Sequence, residues 1–383
     1  LKISTRRAAY IHIPFCQHIC HYCDFNKFFL QGQPVDEYLE ALNKEIALTV
    51  RKYPAEPMKS IFVGGGTPTA LNEKQLQRLC EIINSHFQKE DEIEYTFEGN
   101  PGDLSYEKLS ILKNHGVNRL SLGVQSFNDA LLEKIGRSHR AEDVYKTVED
   151  AKKAGFENIS IDLIYALPGQ TIADFKDTLS EAFSLGLPHF SGYSLIIEPK
   201  TVFYNLMKKG KLPLPGEDTE AAMYELLMDE MAKHGYNQYE ISNFSLKGYE
   251  SVHNLTYWRN EEYYGFGAGG HSYLGRIRRS NIGPLNRYIK QLDEGVLPII
   301  EENEVTLVEA MEEEMFLGLR MSDGVKKNGF KEKYGIALDD IFHGQIDKLS
   351  KKSLIQDDGA AIRLTRKGRL LGNEVFQSFL IKE

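Results

Sequence analysis

The sequence predicts an α/β fold: an incomplete (β/α)6 barrel followed by a C-terminal helical, winged-helix-like domain. Three observations predict it. Six short β-rich stretches are separated by stretches whose apolar residues recur at helical spacing. Polar residues and glycines fall at or just beyond the ends of those β-rich stretches. The final third changes character, with a helical pattern closing on a short strand and a last helix. Strands alternating with helices pair in parallel through right-handed crossovers, and six such units suggest an open barrel more than a flat doubly wound sheet.

In order, the expected strands are residues 9–13 (AYIHI), 60–63 (SIFV), 94–98 (EYTFE), 119–123 (RLSLG), 158–164 (NISIDLI) and 190–196 (FSGYSLI). Leu39, Leu42 and Ile46 form a helical stripe in the first gap, and Leu76, Leu79, Cys80 and Ile83 form one in the second. Cys80 shares that apolar face and reads as a small buried hydrophobe. The barrel is expected over residues 1–240, and a barrel-closing segment carrying HNLTYW over 241–300. The accessory domain is expected over 301–383. After a proline- and acid-rich stretch at 297–304, its helical pattern begins at Val308. A DDG turn, the strand IRL and a last helix with Leu371, Val375, Phe376 and Phe379 on one side complete it.

Composition narrows the class of function. The 383 residues are 42% hydrophobic and 26% charged, without low-complexity blocks or an uncharged apolar run long enough to cross a bilayer. No membrane span and no secretory signal are expected, and three clustered cysteines with one distant cysteine make a poor disulfide framework. The expected location is a reducing cytoplasm. A formal net charge of −9 argues against a nucleic-acid binder, because phosphate affinity needs clustered Lys and Arg. A covering or partner-docking role is therefore expected of the terminal domain.

The unusual residues converge on one place. Cys16, Cys20 and Cys23 follow the first strand and GGGTP follows the second. Glu98 ends the third, Gln125 follows the fourth and Asp162 lies late in the fifth. Parallel barrels build their sites at the carboxyl ends of strands, so these features predict one shared pocket. Three thiols within eight residues, interleaved with His18, His21 and Asp24, read as ligands. Zinc with His18 or His21 as fourth donor competes, although no second Cys or His pair with finger spacing follows. An iron-sulfur cluster with one iron free of protein ligands accounts better for a set of three.

Cys-x3-Cys-x2-Cys followed by GGGTP resembles the radical S-adenosylmethionine superfamily. That resemblance implies a 4Fe-4S cluster held by Cys16, Cys20 and Cys23, with S-adenosylmethionine on its open iron. It extends over nearly the whole chain to the family of oxygen-independent coproporphyrinogen oxidases and their relatives. YIHIPFC, GGGTPT, FEGNP, SLGVQSFND, GRSH, IDLIYALPGQT, QYEISNF and GAGGHSY carry it. The resemblance implies that Tyr10 and Tyr22 neighbour the cofactor or cluster and that Gly65, Gly66 and Thr67 cradle the methionine end. It also makes Glu98, Gln125, Arg137 and Asp162 polar contacts to the cofactor. On its own residues, Arg137 reads equally as an exposed helix-end cation. Ala166 stands where relatives often carry glycine.

Two departures from the oxidases, and one motif, point to a branch. Phe25 occupies the position where oxidases typically add a fourth cysteine, and only fifteen residues precede Cys16 where oxidases carry an extension. HNLTYW is similar to the H-N-x-x-Y-W motif of the heme-chaperone, HemW-like branch. The resemblance implies heme binding by His253, Asn254, Tyr257 and Trp258. Locally these residues read equally as a satisfied structural corner, and His271 in GAGGHSY is a second heme candidate. The expected partners are heme and a heme-acceptor protein, a respiratory membrane protein being the type in view. Three functions fit these residues: a heme chaperone, a radical oxidative decarboxylase of coproporphyrinogen III, and a zinc-stabilised non-enzymatic module.

Overall fold

A computed structural model describes residues 6–381. Its main sheet contains β1 (Ala8–Ile13), β2 (Met58–Gly65), β3 (Lys89–Gly99), β4 (Arg119–Gln125), β5 (Asn158–Tyr165) and β6 (His189–Ser194). These six strands pair in parallel in sequence order. Every expected strand is present. The sixth stops at Ser194, so Leu195 and Ile196 lie beyond it, Ile196 being exposed. Three further short strands join the sheet: β7 (Asn237–Glu240), β8 (Asn243–Ser245) and β9 (Tyr264–Phe266). The order β9-β1-β2-β3-β4-β5-β6-β8-β7 leaves the barrel open.

Period-two alternation divides each strand between two environments. Ile11, Ile61, Val63, Tyr95, Phe97, Leu120, Leu122, Ile159, Ile161 and Phe190 face the helical layer and are wholly buried. Their neighbours Tyr10, Phe62, Glu98, Arg119, Ser121, Asp162 and Ser191 line an interior cavity. Helices Val35–Lys52, Glu73–His86, Tyr106–Asn114, Ala141–Lys153 and Ile172–Ser184 make the crossovers. Asn72, Ser105 and Thr171 start three of them by accepting backbone N–H bonds that the first helical turn leaves unpaired. Cys80 is buried on the helical stripe the sequence indicated.

Beyond the barrel, helix Val252–Trp258 precedes an antiparallel sheet of β10 (His271–Leu274), β11 (Ile277–Asn281) and β12 (Ile299–Glu304). The proline- and acid-rich stretch is therefore largely a strand, its outer residues exposed. The terminal unit runs helix Leu307–Gly318, β13 (Val325–Lys326), helices Lys327–Tyr334 and Leu338–Lys351, then the hairpin β14 (Ile355–Asp357) and β15 (Ala361–Leu364). This is the order of a winged helix. Its separate core includes Tyr273 and Val305 from the preceding segment. The expected last helix is broken into Arg366–Leu370 and Gly372–Gln377, and Phe379 lies past its end, though buried. Among the described residues no helix is long and apolar enough to cross a membrane.

Candidate cofactor site

The cysteine loop leaves β1 at the rim and folds back through a two-residue pairing of Phe15–Cys16 with Phe28–Phe29. None of the three thiols is in a disulfide. Thr67 Oγ1 donates to Cys16 Sγ at 3.7 Å and Arg137 Nη1 to Cys20 Sγ at 3.4 Å. Lys27 Nζ reaches the Cys23 carbonyl at 2.5 Å. Burial pushes the Cys16 thiol up to about 11 despite the Thr67 hydroxyl, so a thiolate here needs the charge of a bound metal. Tyr22 packs on the apolar cluster of Leu131, Leu132 and Phe203 next to Cys20 and Arg137. His18 is exposed, and His21 Nδ1 is engaged by the Lys134 carbonyl at 3.0 Å. Among the described residues no three His, Cys, Asp or Glu side chains are gathered to hold one metal ion. A four-iron cube spaces its thiolates more widely than a single zinc ion does, so the donor set fits the cluster better.

The GGGTP turn sits beside this loop. Gly65 adopts φ 110°, and a Cβ there would stand 2.4 Å from the His12 ring. Its amide donates to Glu98 Oε2 at 3.0 Å, that of Gly66 to the Ile13 carbonyl at 2.9 Å and that of Thr67 to the Phe15 carbonyl at 2.8 Å. All three amides are engaged, so the groups this turn can offer a ligand are its carbonyl oxygens.

Deeper in, Tyr10 hydroxyl and His12 Nδ1 are 3.1 Å apart, and Glu98 and Asp162 face the cavity. Burial, then the charge of Asp162, raises Glu98 to about 7, and burial raises Asp162 as well. Gln125, at φ 68°, holds its buried Oε1 without a partner among the described residues, as does Arg137 its Nε. Buried polar atoms left unpaired are costly, so these orphans fit a polar ligand at the rim. Arg137 is no exposed helix-end cation: Nη2 donates to the Gly123 carbonyl and, at 2.6 Å, to Asn100 Oδ1.

HNLTYW occupies the opposite end of the cavity. Glu94 accepts from Ser251 Oγ (3.1 Å), Val252 N (2.8 Å) and His253 N (2.9 Å), fixing the start of helix Val252–Trp258 beneath the sheet. His253 is 1% exposed, stacks on Phe62, and has Ser60 Oγ 3.0 Å from Nδ1 and Tyr257 hydroxyl 2.8 Å from Nε2. Burial pulls it down to about 3, so it is neutral. A neutral imidazole has one donor and one acceptor nitrogen, and both are in use. A ligand at His253 would therefore have to displace the Ser60 or the Tyr257 hydroxyl from the ring. Asn254 and Tyr257 line the same cavity, about 230 Å3, whose upper edge is Gly65 and the exposed Phe25. Trp258 turns the other way, into a cleft of about 380 Å3 with Tyr257, Tyr263, Phe316, Leu317 and Arg278. The Arg320 guanidinium lies 4.3 Å from its ring. His271 is exposed.

Sequence reasoning missed Asn100 and Arg119. Asn100 lies inside FEGNP, but nothing in the residue type announced its contacts. Arg119, 2% exposed and lining the cavity, opens RLSLG, where alternation of Arg119 and Ser121 with Leu120 and Leu122 was the available signal.

A family model described as the radical SAM superfamily matches residues 10–182, and one described as the HemN C-terminal domain matches residues 305–371. The heme chaperone HemW of Bacillus subtilis (strain 168) is 55% identical over 98% of this chain and 99% of that one. HemW of Lactococcus lactis subsp. lactis (strain IL1403) is 49% identical over 100% and 99%, and HemW of Escherichia coli (strain K12) is 30% identical over 97% of each. Among solved structures, the coproporphyrinogen III oxidase HemN from Escherichia coli, a radical SAM enzyme, superposes with a TM-score of 0.85. It is 26% identical and covers 98% of this chain and 90% of that one.

Proposed function

The chain belongs to the HemW family, built on a radical SAM domain, and from that premise we propose that it is a heme chaperone, binding heme and passing it to an acceptor protein. The observation that carries this reading over the oxidase is the filled interior. With His253, Asn254 and Tyr257 as its floor, the cavity of about 230 Å3 lies below the ~300 Å3 at which pockets enclose a drug-sized ligand. It takes only part of a nucleoside cofactor, and the rest of such a ligand, or a tetrapyrrole, would lie at its open mouth.

Cys16, Cys20 and Cys23 would hold a 4Fe-4S cluster as thiolates. When bound, the cluster supplies an open iron for S-adenosylmethionine and an electron able to cleave its sulfonium bond. The residues around it supply the rest. Glu98 and Asp162 accept from hydroxyl groups, Gln125 Oε1 offers a vacant acceptor, and Arg137 and Lys27 place positive charge beside the cluster loop. Since the amides of residues 65–67 are engaged, this turn meets an ammonium group through carbonyl oxygens.

The aromatic cleft of Tyr257, Trp258, Tyr263, Phe316 and Leu317 would take the heme outside the barrel, since a macrocycle needs apolar faces and this lining supplies them. The acceptor is a heme protein, a respiratory membrane protein being the class in view, and the location is the cytoplasm, where three ligand thiols stay reduced.

Anaerobic heme titration followed by transfer to an apo-acceptor tests the proposal. Trp258→Ala and Phe316→Ala are expected to weaken heme binding about tenfold, the loss of one well-packed aromatic face. His253→Ala is expected to keep the heme spectrum. Loss of the spectrum in His253→Ala alone would return the heme to the barrel floor. Turnover of coproporphyrinogen III by the reduced, loaded protein would establish the oxidase instead.

A further inference from the structure

Two of the three cluster cysteines are joined by a hydrogen-bonded chain that runs through one uncharged side chain, Asn100. Arg137 Nη2 lies 2.6 Å from Asn100 Oδ1. Because arginine can only donate, the atom facing it must be the amide oxygen, and this fixes the orientation of the whole amide. The Nδ2 hydrogens then go to Thr67 Oγ1 at 3.0 Å and Asp103 Oδ2 at 3.3 Å. A hydroxyl has a single hydrogen. With Asn100 donating to its oxygen, Thr67 directs that hydrogen to Cys16 Sγ, 3.7 Å away. At the other end, the same guanidinium donates through Nη1 to Cys20 Sγ at 3.4 Å. Gly123 makes room for the node: a Cβ there would lie 3.1 Å from Arg137 Nη2 and 3.2 Å from Asn100 Oδ1.

We propose that Asn100 is a positioning residue for the cluster: it orients Thr67 and Arg137 so that both donate to cysteine sulfurs, raising the cluster's reduction potential. Hydrogen bonds to cluster sulfurs stabilise the more negative, reduced state. The proposal rests on the three-cysteine cluster of the preceding section. Asparagine is the required residue type, because an aspartate would accept from Thr67, turn its hydrogen away from Cys16 and add negative charge.

The experiment uses the full-length protein, reconstituted anaerobically with iron and sulfide. Iron and sulfide content are measured first, then the reduced fraction by electron paramagnetic resonance at a series of fixed potentials. Asn100→Asp and Thr67→Val are expected to hold full iron and to lower the ratio of reduced to oxidised cluster about tenfold at a given potential. That is a shift of ~59 mV for one electron. Thr67→Ser, which keeps the hydroxyl, is expected to match the wild type. A wild-type potential in either Asn100→Asp or Thr67→Val overturns the proposal. Should Asn100→Asp hold no iron, the Thr67→Val and Thr67→Ser pair decides alone, since both keep Asn100 and Arg137. Wild-type protein that takes up zinc and forms no cluster would refute the cofactor reading itself, a distinguishable result.

Discussion

The rim and the floor of the barrel carry polar residues of similar types and use them differently. At the rim, Gln125 Oε1 and Arg137 Nε are buried without partners among the described residues, and three thiols stand within one loop. At the floor, Glu94 receives three donors and both nitrogens of His253 are engaged. Arg119 Nε and Trp258 Nε1 are also without partners among the described residues, so the contrast lies in the Glu94 and His253 contacts and not in the whole floor. His253, among aromatic residues, is held at both ring nitrogens by hydroxyl groups of the fold.

The sharpest break between the two ends is Cys16→Ser. It is expected to abolish iron-sulfur absorption completely while leaving far-ultraviolet circular dichroism and the urea midpoint nearly unchanged, since among the described residues the sulfur's hydrogen bond is the long one from Thr67. Glu94→Ala should do the reverse. It orphans three donors at a buried helix start and is expected to cost about 3 kcal/mol in urea unfolding, with iron uptake preserved in the folded fraction. Loss of cluster assembly from Glu94→Ala without loss of stability would break the division between rim and floor.

Acid and base should separate the two ends next. His253 is pulled down to about 3 by burial, so between about pH 6.5 and 3 the folded chain binds fewer protons than the unfolded one, and stability falls as pH drops. Glu98 is raised to about 7, chiefly by burial, so between about pH 4.5 and 7 the folded chain binds more protons, and stability falls as pH rises. His253→Gln is expected to flatten the acid limb by on the order of 3 kcal/mol between about pH 6.5 and 4. Glu98→Gln should flatten the limb approaching neutrality by less. Parallel pH profiles for wild type and both variants would show that neither group is held in its uncharged form.

Six strands, the helical stripes and the cysteine loop were legible because each has a local signature: period two, period 3.6 or close ligand spacing. Strands of three or four residues such as β8 and β9 have no measurable period, and β9 joins the sheet across more than two hundred residues of sequence. The same limit applied at the site. Glu98, Gln125 and Asp162 could be placed at the rim because each ends or follows a predicted strand. The roles of Asn100, Glu94 and the His253 ring depend on partners distant in sequence, on Arg137, on the helix start at Ser251 and on Ser60, and only the fold brings these together. The C-terminal helix was placed by its apolar face, while its break at Leu371 left no periodic trace.

Ala166 carries the smallest expected effect and tests whether a rim residue can belong to the framework. It lies just past β5, four residues beyond Asp162, at φ 59°, a conformation that costs an alanine ~1–2 kcal/mol relative to glycine. Its methyl is buried at 5% exposure, and one buried methyl contributes ~0.8 kcal/mol in return. Glycine would also lose more chain entropy on folding, by ~0.5–1 kcal/mol. These terms nearly cancel, so Ala166→Gly is expected to change unfolding stability by less than about 0.5 kcal/mol and to leave iron uptake and heme affinity untouched. Ala166→Val adds a β-branched side chain to the same left-handed backbone and is expected to destabilise by more than about 2 kcal/mol. A marked gain from glycine would mean that the buried methyl is poorly packed. An effect of either substitution on the cluster before any effect on stability would extend the ligand-binding rim past Asp162 to the turn that follows β5.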